Sequence, residues 1–475
     1  MIAPLTTLTV PLDTSALDTS FFDPSPATAD SAPGQDGAAR PGALLNFLRA
    51  DAALCWVRRC EGLVGFGEIA RFTGTGPERF SAAESWWKEL LAGAAVDDGV
   101  RLPGTGPIAF GTFAFSKTSD YKSRLIVPRI VVGFRGGRAW LTELCLDGGS
   151  LTAEGAHAEL ARLAAAPGAD DAAGGAPGGD AAGAARTGTR KDIPAQPRAE
   201  LAPGSLTEQE WMDSVAAGVR AIESEHLEKI VLARDIVARL DGPVSRAGLL
   251  QTLAQQYSEC WTYGVEGVVG STPEMLIKVE GTTALARVLA GTLDREGAPE
   301  DGEGFAREVL AGSVKQRQEH DFAVHSLTRQ LAPFAVDLSV PPEPFILELP
   351  NVWHLASDVE AVLADADGHL PTSLALVEAL HPTAAVCGTP RSKAGALILE
   401  LEQLDRGPYA GPVGWLDGAG NGEWGIALRG AVLEDPTTVR LYAGAGIVAA
   451  SDPAAELAET WAKFRPMLQA LGLRT

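Results

Sequence analysis

The sequence predicts a mixed α/β protein whose strands and helices do not alternate regularly. Three observations lead to that class. Short apolar runs rich in β-branched residues are bounded by turn residues, capped segments carry one apolar stripe at helical spacing, and no strand–helix–strand order repeats, which disfavours a doubly wound sheet. The chain of 475 residues, 46% hydrophobic and 21% charged, is long enough for one large or two ordinary domains with a sizeable core.

In chain order, SAAESWWKELLAG (Ser81 to Gly93) reads as a capped helix, and IAFGTFAF (Ile108 to Phe115) and RIVVGF (Arg129 to Phe134) read as strands. From about Ala164 to Arg190 the chain is almost entirely Ala, Gly, Pro and Asp, without large apolar residues to anchor it, so residues 164–200 are expected to be a flexible linker or loop between an N-terminal part, 1–163, and a catalytic part, 201–475. The segment SLTEQEWMDSVAAGVRAIESEH predicts a helix opened by Ser205, with Glu208 at capping-box spacing. In HLEKIVLARDIV, Ile230 to Ala233 form an apolar run suited to a strand covered on both faces, which leaves Lys229 at its entrance. Further strands are expected at Tyr263 to Val269, Met275 to Val279, Gly425 to Val432 and Thr438 to Ala443, with helices near Ala306 to Leu331 and Pro453 to Leu471.

Thirty-nine basic against 61 acidic residues leave a net charge of −22, which repels phosphate backbones and anionic lipid; neither nucleic acid nor membrane is an expected partner, and an anionic substrate requires a local basic pocket. Five cysteines without CxxC pairing or Cys/His clustering argue against a disulfide framework and structural zinc. The N-terminal stretch has neither a basic region nor an apolar core, and no apolar run reaches about 18 residues, so a soluble cytoplasmic protein is expected.

Residues able to do chemistry gather late in the chain. Ser451, Asp452 and Pro453 start the last helix, whose packing stripe is Leu457, Trp461, Phe464, Leu468 and Leu471. Its other flank holds Glu456, Glu459 and Lys463, which read alone as a solvated face with an i,i+4 ion pair. In SVKQRQEHDFAVHSLTRQL, Val324, Leu327 and Leu331 form a packing stripe with Glu319 at its edge and Gln316 one turn earlier. A hard cation such as Mg²⁺ takes one or two carboxylates plus water and substrate, a set that Glu319 and Glu459 could supply from separate helices. LYAGAGIVAASDP contains G-x-G-x-x-A (Gly444, Gly446, Ala449), but 26 residues remain after it, too few for the returning strand of a dinucleotide fold. Those glycines could instead bring backbone N–H groups close to a carboxylate. Glu274 in STPEML, and His381 and Arg391 in HPTAAVCGTPR, read individually as structural residues.

Taken in order, EKIVLARD, GSTPEML, LAGT, KQRQEH, HPTAAVCGTPR, YAGPVGW, GNGEWGIALRGA, YAGAGIV and DPAAELAETWAKF resemble the motifs of the chorismate-utilising enzymes, the family of isochorismate, salicylate, anthranilate and aminodeoxychorismate synthases. LVGFGEIARF, FGTFAFS and LIVPRIVVGF are similar to the N-terminal part of the isochorismate synthases. The resemblance implies one large α/β (α+β) fold, a two-layered antiparallel β-sandwich flanked by helices, with the two parts as halves of a single domain. It implies Mg²⁺ as cofactor, with Glu319 and Glu459 as ligands and Glu456 as a direct or water-mediated partner. Lys463 and the backbone around Gly444 and Gly446 would bind the ring carboxylate of chorismate, Arg429 and Tyr409 the enolpyruvyl carboxylate, and Gly291, Thr292 and His381 would belong to the pocket.

Lys229 selects within the family. Ammonia-using members typically carry glutamine there and water-adding members carry lysine. A lysine partly withdrawn from water can be neutral and accept a proton. Glu274 resembles the acid that protonates the departing C4 hydroxyl, so the implied reaction is water addition at C2 of chorismate, giving isochorismate. Ala290 stands where aminodeoxychorismate synthases carry a nucleophilic lysine, which removes the covalent route. No amidotransferase subunit is expected, and a monomer is. Ala385, Val386 and GNGEWGIALRG resemble the isochorismate synthases more than the salicylate synthases, which make isochorismate and then eliminate pyruvate; a catalytically silent homologue is the alternative from another class. The position of Gln316 is usually acidic in the family, so the outer metal shell lacks one carboxylate.

Overall fold

Two large sheets, each drawing strands from both sides of residues 164–200, face each other across a shared apolar core. They are seen in a computed structural model that describes residues 4–12, 44–47, 54–146, 148–165, 196–224, 227–295, 299, 302–365 and 369–473. Among the described residues the first sheet has thirteen strands. Twelve follow one another as Ala199–Pro203, Lys229–Leu240, Thr438–Ile447, Gly430–Asp435, Val268–Thr272, Trp261–Val265, Leu54–Arg58, Glu61–Phe66, Ile130–Arg135, Arg138–Cys145, Thr6–Leu12 and Ala95–Asp98. The thirteenth, Gly388–Thr389, pairs with the start of the Lys229 strand. The ten-stranded second sheet runs Ala335–Ser339, Val352–Leu363, Thr283–Asp294, Met275–Glu280, Gly422–Ile426, Pro412–Asp417, Ile108–Thr112, Ser123–Val127 and Ala70–Gly74, with Phe345–Glu348 beside Val352–Leu363. The parallel pairing among these strands is Thr6–Leu12 with Ala95–Asp98; the others are antiparallel.

The core explains this stacking. Trp56 of the first sheet and Phe110, Ile277, Trp415 and Trp424 of the second are buried in one cluster. A second cluster packs the other face of the first sheet, through Leu441 and Ala443, on the helices Arg246–Gln256 and Pro453–Ala470. A strand between two such layers is buried on both faces, as the Lys229–Leu240 strand is along nearly its whole length, its charged Lys229, Arg234 and Asp235 included. No helix among the described residues is long and apolar enough to cross a membrane.

Several boundaries differ from the sequence reading. The helix Glu208–Glu223 is capped by Thr207 in a full capping box with Glu210; Ser205 instead donates its N–H to Asp235 at 2.7 Å. The first helix begins at Arg79, and Ser81 lies in its opening turn, donating its hydroxyl to the Glu78 carbonyl. The expected strand over Tyr263 to Val269 is a hairpin, Trp261–Val265 and Val268–Thr272, turned at Glu266 with φ 58°. The helical stretch to Leu331 is interrupted: a π-helical turn, Arg307–Ala311, ends at Gly312, and Ser313 caps Val314–Leu331. The expected linker lies, from residue 166 to 195, outside the described residues, while Ala164 and Ala165 still belong to the helix Ala153–Ala165.

One difference matters most for the site. The run Gly425 to Val432 is continuous in composition, yet Gly422–Ile426 belongs to the second sheet and Gly430–Asp435 to the first. Between them the chain crosses from one layer to the other, and Arg429 takes the left-handed conformation with φ 49°. This crossover sets Arg429 between the sheets.

Candidate active site

A cavity opens where the Lys229 strand, the crossover and the last helix meet. Its lining includes Lys229, Glu274, Gly291, Thr292, Tyr409, Arg429, Gly444, Gly446, Glu456, Glu459 and Lys463, residues spread over 235 positions of sequence. Lys229 is buried at the first position of its strand, with Thr389 beside it on one edge and Ile447 beside Ile230 on the other. The glycines of G-x-G-x-x-A lie in the neighbouring strand Thr438–Ile447, not in a phosphate loop. A Cβ on Gly446 would stand 3.0 Å from Lys229 Cε, and one on Gly444 would stand 3.2 Å from the Tyr409 hydroxyl. The Lys229 and Tyr409 side chains thus lie close over the two glycines, with the Leu232 carbonyl 3.0 Å from a Cβ on Gly444.

The flank of the last helix is not a solvated face. Glu456 is buried, and Glu459 and Lys463 turn into the cavity, where Lys463 Nζ donates to Glu459 and, at 2.8 Å, to the Gly444 carbonyl. Asp452 caps this helix through the Ala455 N–H at 2.9 Å, with Pro453 at its first position. That start fixes the phase of the helix, and hence which side faces the cavity.

Glu274 follows Pro273 at the turn into Met275–Glu280. Its carboxyl is buried, and desolvation pushes its pKa up to about 8 against the opposing pull of Lys229, Lys463 and Arg429. It is therefore largely protonated at neutral pH, the state a proton donor needs. Tyr409 stacks on Tyr442 at 5.2 Å, and burial raises its phenol to about 12, so it stays a hydrogen-bond donor.

His354, which the sequence reading passed over, organises the opposite wall. Arg429 Nη2 lies 3.1 Å from His354 Nε2, while His354 Nδ1 lies 3.0 Å from the Gly291 carbonyl and 3.3 Å from the Thr292 hydroxyl. A guanidinium cannot accept, so Nε2 must accept from it and Nδ1 must carry the proton donated to Gly291. Burial, with Arg429 adjacent, lowers this imidazole to about 3 and keeps it neutral. The Gly291 carbonyl is turned to it by a bulge between Ala290 and Thr292, with Gly291 at φ 78°. A lone histidine inside the apolar run NVWHLASDV carries no sequence signal for this role.

One expected pocket residue is placed elsewhere, and the side chain of an expected metal ligand, Glu319, lies outside the described residues. His381 does not line the cavity: its ring packs edge-on against Phe115 at 5.7 Å, and its Nε2 lies 3.0 Å from the Phe115 carbonyl. Burial lowers it to about 3, the behaviour of a neutral packing residue. Glu319 lies on the helix Val314–Leu331, with its side chain outside the described set; Gln316, one turn earlier, reaches the cavity, and its buried Oε1 has no hydrogen-bond partner. Among the described residues no three His, Cys, Asp or Glu side chains converge as a metal site. What faces the cavity is Glu456, Glu459 and the carboxamide oxygen of Gln316, an all-oxygen set that fits a hard divalent cation completed by water and substrate.

Comparison with known proteins identifies the family and the fold. A family model described as "Chorismate binding enzyme" matches residues 53–472. The chain is 38% identical over 276 residues to isochorismate synthase DhbC of Bacillus subtilis, covering 56% of this chain and 68% of that protein. It is 30% identical over 428 residues to isochorismate synthase MenF of the same organism, covering 86% and 85%. The crystal structure of DhbC from Bacillus anthracis superposes with a TM-score of 0.69 at 27% identity, over 91% of this chain and 99% of that one. With a matching family model across nearly its whole length and the fold shared, this chain belongs to the family of chorismate-binding enzymes.

Proposed function

We propose that this chain is an isochorismate synthase, converting chorismate to isochorismate with magnesium as cofactor. The observation that carries the reading is the pairing, in one cavity, of the buried Lys229 amine with a Glu274 carboxyl kept protonated by burial. Lys229 takes a proton from water as the water oxygen bonds to C2. Glu274 gives its proton to the C4 hydroxyl, which leaves as water while the ring double bond shifts. Each group changes protonation once, and no covalent enzyme intermediate forms.

Two carboxylates of the substrate need cationic ends inside a chain of net charge −22. Arg429, Tyr409 and Thr292 supply donors for the enolpyruvyl carboxylate, and Lys463 with the strand at Gly444 and Gly446 receives the ring carboxylate. Magnesium, with Glu459, Glu456 and Glu319 as its proposed ligands, would add positive charge at the ring carboxylate. Lysine at position 229 favours water over ammonia, so no glutamine-hydrolysing partner is required.

The test is NMR analysis of products from chorismate and Mg²⁺, beside Lys229→Gln and a magnesium-free control. Isochorismate in equilibrium with chorismate, lost in both controls, is the expected result. Salicylate with pyruvate would move the chain to the lyase branch, and no turnover by the parent would point to a silent chorismate-binding homologue.

A further inference from the structure

The strand that carries Lys229 is incompletely paired. Along one edge Thr438–Ile447 accompanies it from Ile230 to Arg239. Along the other, Gly388–Thr389 covers Lys229 and Ile230, and Ala199–Pro203 resumes only at Ile236. Buried backbone groups in the gap need other partners. Val231 N–H donates to the Cys387 carbonyl at 2.9 Å, and Trp211 Nε1 donates to the Ala233 carbonyl at 3.0 Å. Two more are met by an ion pair: Arg406 Nη2 donates to the Val231 carbonyl at 2.8 Å, and Ala233 N–H donates to Glu402 Oε1 at 2.7 Å.

That pair is deeply buried, with side chains 2% and 1% exposed. Arg406 Nε donates to Glu402 Oε2 at 2.9 Å, and Nη2 also donates to Oε1. Arg406 Nη1 donates to the Val386 carbonyl at 2.8 Å, its own carbonyl accepts from Tyr409 N–H at 2.9 Å, and its guanidinium lies 4.2 Å over the Phe115 ring. One fork thus holds the Lys229 strand two residues from the lysine, together with the segments that present Val386 and Tyr409 to the cavity. Arg406 also lines that cavity, but four of its N–H donors are already committed.

We propose that Glu402 and Arg406 form a positioning pair for the reaction, setting the depth of Lys229 against the Val386 and Tyr409 wall without touching the reacting atoms. This rests on the reading of Lys229 as the base. An ordinary strand neighbour would satisfy the same backbone groups but could not reach Val386 and Tyr409 from a rigid, charged fork. Displacements of about 1 Å at a reacting group can cost about a hundredfold in rate, so a pair acting this way affects turnover more than binding.

The experiment compares parent, Glu402→Gln, Arg406→Lys, Trp211→Phe and Lys229→Ala for kcat, KM and direct chorismate binding in the presence of Mg²⁺. Glu402→Gln keeps the shape of the pair and removes its charge; Trp211→Phe loosens the same strand edge through a residue with no link to the cavity wall. The expected result is a fall in kcat of at least about tenfold for Glu402→Gln, with chorismate affinity within about threefold of the parent. Arg406→Lys should lie between, and Trp211→Phe should lower Tm while leaving kcat near the parent. Equal kcat losses in Glu402→Gln and Trp211→Phe at matched Tm would overturn the proposal, as would unchanged kcat in Glu402→Gln. Loss of chorismate binding in both pair variants would overturn it too, because the pair would then be holding the fold. An inactive parent or an active Lys229→Ala would instead remove the reading of the base, a separate result.

Discussion

The strands between Leu54 and Cys145 and the chain from Lys229 to Lys463 are built into the same two sheets but do different work. Leu54–Arg58 pairs with Trp261–Val265, and Ile108–Thr112 pairs with Pro412–Asp417, so neither region completes a sheet without the other. Yet every residue lining the cavity comes from the later region, while the earlier one contributes Trp56, Trp87, Phe110 and Trp140 to the apolar interior. Burial in the early region excludes water from carbon. In the later region it withdraws water from Glu274, His354 and Arg429, where it shifts protonation. Substitutions should therefore separate into losses of rate and losses of stability according to where they fall.

The largest expected effects are on rate. Lys229→Ala and Glu274→Gln each remove one proposed proton-transfer group and should lower kcat by about 10²–10⁴-fold, measured by isochorismate formation, with thermal midpoints that do not fall. Next comes Phe110→Ala in the early region, which opens a cavity at a site of zero exposure and should cost about 3–5 kcal/mol of stability. Its kcat per folded molecule should match the parent; a drop beyond the unfolded fraction would break the division.

Glu274 sharpens the comparison further, because it works at the expense of stability. A general acid must be protonated, so kcat/KM should fall as pH rises through about 8, the value to which burial raises this carboxyl from its ordinary 4.5. The sign for stability follows from the same shift. The unfolded chain releases this proton near 4.5 and the folded chain only near 8, so the stability of the buried neutral acid is full below 4.5 and is lost progressively up to about 8. Glu274→Gln keeps a neutral group there and should be more stable than the parent at pH 7.5 by about 4 kcal/mol, the gain vanishing near pH 4.5 in thermal melts without ligand.

How far the sequence could reveal this depended on whether a feature was local. The last helix was legible because Asp452–Pro453 fixes its start and a single stripe fixes its phase, which turned Glu456, Glu459 and Lys463 to one side. The Lys229 strand was legible as an apolar run. The crossover at Arg429 was not, since the residues before and after it are equally apolar and only pairing with different sheets separates them. The two longest strands of the second sheet, Thr283–Asp294 and Val352–Leu363, went unread although they pair along most of their length, because their partners lie about 70 residues apart. His354 was hidden with them. His381 was assigned by family pattern alone, and packing against Phe115 gives it a different place. Thr207 rather than Ser205 caps its helix, a choice between two good caps two residues apart that the Glu210 partner decides.

The smallest expected effect concerns Gln316, where the site departs from the acidic residue usual in the family. The carboxamide fits against Gly291 so closely that a Cβ there would lie 2.5 Å from Oε1, and that oxygen is buried without a partner at the edge of the cavity. An acceptor left in this state costs free energy unless a ligand, ion or water meets it. Glutamate is isosteric, so Gln316→Glu should fit the same space and add one negative charge near the proposed metal ligands. The Mg²⁺ concentration for half-maximal activity should fall by about two- to tenfold, corresponding to about 0.4–1.4 kcal/mol, with little change in kcat at saturating metal. Superimposable magnesium titrations for parent and variant would place Gln316 outside the metal's outer shell, leaving the buried oxygen as a packing consequence of Gly291 and not a part of the chemistry.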